Sequence, residues 1–292
     1  MYELIQAGEK TYYIDCPAKI GVYISEDYEA YIIDSGNDKE AGKKILKILK
    51  EKEWTLKGII NTHSNGDHIG GNQVLQQRTG CKIISTRVEN LFTAHTMLEP
   101  AFLYGGYPFK ELRNKFLMAA PSEPTDEIED FLPEGLEFIR LEGHYFDMVG
   151  IKTSDDVYFL ADSLFGEHII NKYHLFFVYD VAGYLRTLDM IENLEGKLFI
   201  PAHGEAAEDI RPLVRMNRDK VNAVAAKILE TCQRPLIFED VLKEVFDHYD
   251  LKMDCNQYVL VGSTVRSYLS YLRDQGKLNL TIVENRMLWE RA

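Results

Sequence analysis

The stretch GIINTHSNGDHIGGN, residues 58–72, joins an apolar run to a glycine pair through two His and one Asp. His63, Asp67 and His68 therefore follow directly after a predicted buried strand, on a glycine-bounded loop. A loop at the carboxyl end of a strand can bring several side chains to one point, because the strand fixes their origin. Imidazole and carboxylate groups are ligands for zinc, iron and manganese, so this stretch predicts part of a metal site.

Three later residues repeat the same arrangement. His144 in LEGHYFDMVGI, Asp162 in YFLADSLFG and His203 in FIPAHGE each come just after a strand-like run, next to Gly or Pro. Any one of them could be an ordinary loop histidine or a helix-capping aspartate. Their serial recurrence favours the interpretation that all of these loops supply ligands to a common site.

The ordered motifs THSNGDHIGG, GHYFDMVG, ADSLFG and PAHGE resemble those of the metallo-β-lactamase superfamily. The early segment YIIDSG is similar to that family's early strand and Asp-containing turn, and the resemblance covers approximately residues 1–210. It implies an α/β fold, a four-layer αββα sandwich with a metal site at one sheet edge. Within the superfamily, the resemblance leans towards the glyoxalase-II-like hydrolases, a broad subgroup that includes thioesterases.

The resemblance also implies roles for the motif residues. The implied ligands are His63 and His144 at a first ion, Asp67, His68 and His203 at a second, and Asp162 as the bridge between them. Asp34 would orient a ligand histidine, although an ordinary turn aspartate explains it nearly as well. Asp67 would also orient or deprotonate the attacking water, which makes it the predicted catalytic residue.

Asn65 is where this chain departs from the family pattern, which usually has His at this position. A neutral amide oxygen is a weak ligand for zinc, so Asn65 is expected to be either a weak ligand or a vacancy. The first position would keep three protein ligands, the number typical of catalytic metal sites that leave one coordination position open for water or substrate. We therefore expect one or two divalent ions, with zinc favoured. Iron or manganese stays open, because some flavodiiron-type relatives carry a carboxylate here and hold iron.

The chain divides into a predicted catalytic domain, residues 1–212, and a smaller C-terminal domain, residues 213–292. Short β-branched runs and an amphipathic helix predict a sheet with helices on its face in the first third. An aromatic, glycine-punctuated stretch near 88–133 is typical of a helical insertion or lid. Helices followed by two strands at the end of the chain predict a winged-helix-like α+β unit.

Composition limits the classes of function. The chain has 292 residues, is 46% hydrophobic and carries a formal charge of -13, which repels nucleic acids. No stretch approaches the roughly 18 apolar residues that a membrane span needs, and the start lacks a signal peptide. Its 4 Cys are scattered without a C-x-x-C pair, which is typical of reduced thiols. We expect a cytoplasmic protein without a membrane partner.

These observations predict a metal-dependent hydrolase acting through a metal-activated water on an ester, thioester or related small molecule. Tyr145, Tyr173 and His174 are candidates for the substrate pocket. The C-terminal unit has 12 Lys plus Arg and 11 Asp plus Glu, so it lacks the clear positive charge of a nucleic-acid-binding domain. We therefore expect it to cover the site or to pair subunits in a homodimer. Two alternatives stay open: a nucleic-acid-processing nuclease or regulator, and a metal-binding protein that Asn65 has impaired.

Overall fold

The computed structural model describes residues 2–292, and its largest sheet has seven strands. In order across the sheet these are β1 (Glu3–Gln6), β2 (Thr11–Asp15), β3 (Ile20–Ile24), β4 (Glu29–Ile33), β5 (Thr55–Ile60), β6 (Lys82–Ser85) and β7 (Asp126–Glu127). The first four strands pair antiparallel, whereas β4 to β7 pair parallel. The predicted meander followed by parallel pairing is confirmed. Parallel pairing places the ends of β4 and β5 at one edge of the sheet.

Three helices lie between β4 and β6 along the chain: α1 (Lys39–Glu51), the single turn α2 (Gly66–Ile69) and α3 (Asn72–Thr79). The Asp38 side chain caps α1 by accepting hydrogen bonds from two backbone N–H groups of its first turn. Ile45 and Leu49 of α1 pack with Leu75 of α3 against the apolar outer face of the sheet. The amphipathic helix predicted from the sequence is therefore present, and its apolar stripe forms the first helical layer.

The second sheet has four strands, which run in the order β11-β10-β9-β8. They are β8 (Leu136–Arg140), β9 (Val149–Thr153), β10 (Val157–Phe159) and β11 (Leu198–Ile200). Ile33 and Ile60 of the first sheet pack with Val149, Phe159 and Ile200 of the second in one buried cluster. The two sheets therefore lie face to face, and the loops that follow β5, β8, β10 and β11 carry the predicted ligands.

The outer face of the second sheet is covered by α6 (Glu167–Tyr173), which the sequence patterns did not indicate, and by α7 (Val181–Glu192). Tyr184 and Leu188 of α7 pack with Tyr158 and Phe199 of the sheet. Helices therefore flank both sheets. The predicted four-layer αββα sandwich of the metallo-β-lactamase type is confirmed.

The insertion between β6 and β8 contains two short helices and long irregular stretches. It contains α4 (Arg87–Ala94), α5 (Leu98–Tyr104) and a short 3-10 turn at Lys110–Leu112, and it also supplies the edge strand β7. Leu103, Leu112 and Leu117 pack with Val259 of the C-terminal part in a separate apolar cluster. The insertion is therefore fixed against the end of the chain rather than projecting freely.

The C-terminal part contains α8 (Arg211–Thr231), α9 (Phe238–His248), α10 (Cys255–Asp274) and a hairpin of β12 (Leu278–Val283) and β13 (Arg286–Arg291). This order of helices followed by two strands agrees with the prediction from the sequence. Val221 of α8 and Tyr268 of α10 share one core with Tyr184 of α7. The identity of this part as a separate winged-helix domain stays a prediction.

Over residues 2–292, no helix is both long enough and apolar enough to cross a membrane.

Candidate metal centre

The loop between β5 and α3 presents His63, Asp67 and His68 at the carboxyl end of a buried strand. Gly70 and Gly71 allow this loop to fold tightly beneath the segment after β4. A Cβ at Gly70 would lie 2.3 Å from the Asn37 carbonyl carbon, and one at Gly71 would lie 2.4 Å from the Ser35 carbonyl oxygen. The glycine pair is therefore a requirement of close backbone approach, and it holds the loop against the Asp34 segment.

Asp34 fixes the orientation of two of the imidazoles. Its Oδ1 accepts from the Thr62 backbone N–H at 2.8 Å, and its Oδ2 accepts from the Thr62 hydroxyl and from His68 Nδ1, each at 2.7 Å. Because the Thr62 hydroxyl donates to Asp34, its oxygen is left to accept from His63 Nδ1, 3.1 Å away. The carboxylate thus fixes the His68 tautomer directly and that of His63 through Thr62.

Backbone carbonyls fix the other two imidazoles. His144 Nδ1 donates to the Phe177 carbonyl oxygen, and His203 Nδ1 donates to the Pro17 carbonyl oxygen, both at 2.9 Å. A carbonyl oxygen only accepts, so Nδ1 carries the proton in both rings. Each ring therefore directs Nε2 towards the interior of the site.

Asp162 lies where these nitrogens converge. Its Oδ1 is 3.1 Å from His68 Nε2, and its Oδ2 is 3.4 Å from His203 Nε2 and 3.6 Å from His144 Nε2. Asp67 Oδ2 lies 3.2 Å from His203 Nε2. Asp162 is 5% exposed, so the convergence occurs inside the protein.

The six predicted ligands form two sets, within each of which the ligand atoms lie within 4.8 Å of one another. One set is His63, His144 and Asp162, and the other is Asp67, His68 and His203. His63 Nε2 is buried without a hydrogen-bond partner, and the buried His68 Nε2 and Asp162 Oδ1 lie 3.1 Å apart without forming a hydrogen bond. Unpartnered buried polar atoms are costly, and nitrogen and oxygen donors of this kind suit a divalent metal. The residues therefore fit the expected ion or ions.

Charge is unevenly distributed over the cluster. Burial and the neighbouring His68 hold the pKa of His63 well below its usual range. Burial also opposes the charged form of His203, but Asp162 and Asp67 outweigh it and raise the pKa of His203 to about 10. Despite burial, the pKa of Asp67 is lowered by the adjacent His68 and His203. The carboxylates therefore hold positive charge at the centre, a setting in which a cation can exchange with protons.

Asn65 lies beside the first set, between a carboxyl group and an imidazole. Its Nδ2 donates to Glu99 Oε1 at 2.8 Å, and its Oδ1 lies 3.1 Å from His144 Nε2. His144 Nε2 carries no proton when Nδ1 donates to a carbonyl, so two electron-pair donors face each other. A cation between them relieves that conflict. The amide oxygen is thus presented to the first metal position.

Two glutamates of the insertion support the metal loop from beneath. Glu99 on α5 is 6% exposed, and burial raises its pKa well above its usual range. Glu89 on α4 is fully buried and accepts from the Ser64 backbone N–H, the Ser64 hydroxyl and the Asp147 backbone N–H. Burial raises the pKa of Glu89 to about 7 despite these hydrogen bonds. Glu89, Glu99 and Thr62 were not predicted from the sequence. For the two glutamates, the available signal was a carboxyl group within an apolar helical segment.

A cavity of about 400 Å³ opens beside the cluster. Asp67, Asp162, His144 and His203 line its inner end, and the insertion, α6 and α10 form its walls. Tyr145 and Tyr173 line it, as predicted from the sequence.

His174 is not among the residues that line this cavity, and its assignment to the pocket is corrected. His174 Nδ1 lies 2.8 Å from Lys220 Nζ, and its ring stacks on Tyr249 with the centroids 5.0 Å apart. The residue has φ of +56°, so the backbone turns its side chain towards α8 and α9 instead. Proximity in sequence to Tyr173 was therefore misleading.

Two solved structures share this fold over nearly the whole chain. A beta-lactamase domain protein from Burkholderia ambifaria aligns with a TM-score of 0.75 and 16% identity, covering 99% of this chain and 94% of that one. A metallo-beta-lactamase family protein from Thermus thermophilus aligns with a TM-score of 0.70 and 15% identity, covering 100% and 98%. The likeness therefore includes the C-terminal part.

Curated relatives match a shorter stretch. A hydroxyacylglutathione hydrolase from Erythrobacter litoralis is 44% identical over 63 residues, and one from Pelagibacter ubique is 33% identical over 67. The matched stretches span 25% and 28% of those two proteins, and 20% and 21% of this chain. The sequence profile of the metallo-beta-lactamase superfamily matches residues 19–203, which include all six converging side chains. The chain therefore belongs to the metallo-beta-lactamase superfamily.

Proposed function

We propose that this chain hydrolyses an ester or thioester of a small molecule, using one or two divalent metal ions of which zinc is the first candidate. The observation that carries the proposal is the convergence of the Nε2 atoms of His68, His144 and His203 on buried Asp162, with the ring of His63 beside them, at the inner end of an apolar cavity. Each of these four rings has its Nδ1 engaged on the outer side. Such orientation of ligand histidines by their other nitrogen is typical of metal sites.

The two sets of ligands would differ in strength. Asp67, His68 and His203, with Asp162, would hold the tighter ion, because this set has the carboxylate of Asp67 where the other set has a neutral amide. His63, His144 and Asp162 would hold the other ion, with Asn65 Oδ1 as the fourth, weaker donor. When bound, a divalent ion lowers the pKa of a coordinated water towards neutrality and polarises a carbonyl oxygen.

Asp67 is the residue of this chain that we propose to act on the attacking water. It lines the cavity, and its side chain is about one third exposed, whereas the Asp162 side chain is almost fully enclosed. One Asp67 oxygen lies against His203 Nε2, and the other is 3.9 Å from His68 Nε2. The carboxylate can therefore orient the water and accept its proton while its position stays fixed.

The cavity walls serve to exclude bulk water from the reacting bond. Leu117, Phe165 and Phe177 line the cavity beside the cluster, and α10 closes it with Leu260 and Val261. Removing water strengthens electrostatic interactions with the developing charge of the transition state. Coverage by α10 fits the predicted covering role of the C-terminal unit better than a free recognition helix for nucleic acid.

The local similarity to hydroxyacylglutathione hydrolases supports a thioester among the candidate substrates. The described cysteines are all free thiols, which supports the proposal of a cytoplasmic protein.

The test is hydrolysis of matched thioester, ester, lactam and phosphodiester substrates by protein loaded with zinc, manganese or iron. We expect turnover of thioesters or esters that is lost on chelation and restored by metal. His68→Ala and Asp162→Ala should lose it by at least about 100-fold, whereas the surface variant Lys47→Gln should retain it. Metal-loaded protein that turns over phosphodiesters alone would support the nuclease alternative, and inactivity with every class would support the impaired binding protein.

A further inference from the structure

Apart from the histidines of the metal cluster, the cavity contains no side chain that could neutralise an anion. Of its 20 lining residues, 13 are apolar or aromatic, and the ionisable carboxyl groups are Asp67, Glu99 and Asp162. Among the described residues that line it there is no Lys or Arg. An anionic group placed here would lose its hydration and face carboxylates, both of which are unfavourable.

The walls are apolar where the acyl part of a substrate would lie. Phe165 stacks on Phe176 with a centroid distance of 4.5 Å, and Leu103 and Leu117 are buried on the opposite, insertion side. A volume of about 400 Å³ lies within the range of small-molecule sites, about 300 to 1,000 Å³. Burial of an apolar chain in this space is favourable at about 25 cal/mol per Å².

A second hollow adjoins the cluster on the opposite side of His203. It shares Pro17 and His203 with the cavity, and its two lysines are already engaged. Lys19 Nζ lies 3.4 Å from Asp15 Oδ1, and Lys44 Nζ lies 4.1 Å from the centroid of the Tyr2 ring. This hollow therefore offers no pair of free cations to a leaving group that carries several negative charges.

From these observations, and resting on the proposed hydrolase function, we infer that the substrate is an uncharged ester or thioester with an apolar acyl group. The acyl chain occupies the cavity between the insertion and α10, and the leaving group carries no cluster of carboxylates or phosphates. Glutathione carries two carboxylates, so a glutathione thioester of the kind named for the curated relatives is a poor match to these walls.

Matched thioesters test this inference. The octanoyl thioesters of N-acetylcysteamine and of glutathione have the same acyl group, and only the second has charges on the thiol. With metal-loaded protein we expect kcat/KM to be at least tenfold higher for N-acetylcysteamine, and to rise from acetyl to octanoyl. Equal or faster turnover of the glutathione thioester, or no gain with chain length, would overturn the inference.

Variants at one cavity-lining position supply a charge test. Gln257 is a polar, half-buried residue at the start of α10. The preference is the ratio of kcat/KM for the uncharged thioester to kcat/KM for the glutathione thioester. We expect Gln257→Arg to lower this ratio about threefold to tenfold, and Gln257→Glu to raise it. Gln233→Arg adds the same charge at an exposed residue outside the cavity lining and should leave the preference unchanged. Identical preferences in all of these variants would contradict the assignment of the substrate to this cavity.

Binding of non-hydrolysable thioethers separates this inference from the proposed activity. S-octyl-N-acetylcysteamine should bind metal-loaded protein at least tenfold more tightly than S-octylglutathione in calorimetry. If no substrate is turned over but this order of affinity holds, the proposed function fails and the inference about the cavity stands. If thioesters are turned over but the order is reversed, the inference fails alone.

Discussion

Asn65 is held between Glu99 and His144, with its Nδ2 donating to Glu99 Oε1 at 2.8 Å and its Oδ1 3.1 Å from His144 Nε2. The hydrogen bond to Glu99 decides which end of the amide faces the metal position. The position that looked like a missing ligand in the sequence is therefore occupied by an oriented oxygen donor. We therefore propose a first metal position that is weak for zinc but complete in number of donors.

Removing the amide oxygen should weaken one ion and spare the other. We expect Asn65→Leu to reduce the affinity of the first position at least tenfold, because His63, His144 and Asp162 are then its only protein donors. Competition with a fluorescent chelator measures the two affinities. Asn65→His supplies an imidazole and should tighten the same position for zinc. Unchanged affinities in Asn65→Leu would show that Asn65 is not a ligand.

Glu99 should act as a positioning residue. Glu99→Gln retains an acceptor oxygen for Asn65 Nδ2 and should change metal affinity by less than about threefold. Glu99→Leu removes the acceptor, leaves the amide free to rotate and should weaken the first position. Because a buried carboxyl group is costly, the Leu variant should keep or raise the melting temperature. A loss of stability in Glu99→Leu with unchanged metal affinity would indicate a purely structural role.

Asp34 is expected to control metal affinity without touching the ion. Asp34→Asn tolerates the backbone φ of +65°, but it can no longer accept from both Thr62 and His68 through two carboxylate oxygens. We expect metal affinity to fall about 10- to 100-fold. Asp38→Asn is the matched control, since Asn caps a helix as well as Asp does. Equal metal affinities in Asp34→Asn and Asp38→Asn would show that Asp34 does not orient the ligand histidines.

Glu89 predicts a pH dependence of stability in protein kept free of metal. Its folded pKa of about 7 lies above the ordinary value of 4.5, so the unfolded chain ionises first as pH rises. This glutamate therefore lowers the free energy of unfolding between about pH 4.5 and 7, by about 3 kcal/mol in total. Glu89→Gln should remove that loss.

The check on Glu89 is denaturant unfolding of both proteins at pH 5 and pH 8. The free energy of unfolding of Glu89→Gln relative to the unsubstituted chain should rise by about 2.5 kcal/mol over this interval. A difference between the two proteins that stays constant with pH would contradict the assignment.

The convergence of these side chains could be predicted from the sequence because each follows a strand in a short loop, and β-sheet geometry brings such loops to one edge. The sequence also predicted the strands of the C-terminal hairpin, where β-branched and aromatic residues flank a two-residue turn. Local patterns did not indicate α6, because a helix of 7 residues is too short to show a clear helical period.

Partners distant in sequence could not be predicted in the same way. Glu89 and Glu99 reach the metal loop only because the insertion folds beneath it, over separations of 25 and 34 residues. The position of His174 likewise depends on its contact with Lys220, 46 residues away. Contacts of this kind are set by tertiary packing, which leaves no periodic signal in one sequence.

The central claim, that these converging side chains hold a catalytic metal, is tested most directly by metal content. Protein equilibrated with zinc, manganese or iron, freed of excess metal and analysed by inductively coupled plasma mass spectrometry should contain between one and two ions per chain. His68→Ala with His203→Ala should lower that content by at least one ion. Well under one ion per chain with every metal, or a content unaffected by the double substitution, would contradict the claim.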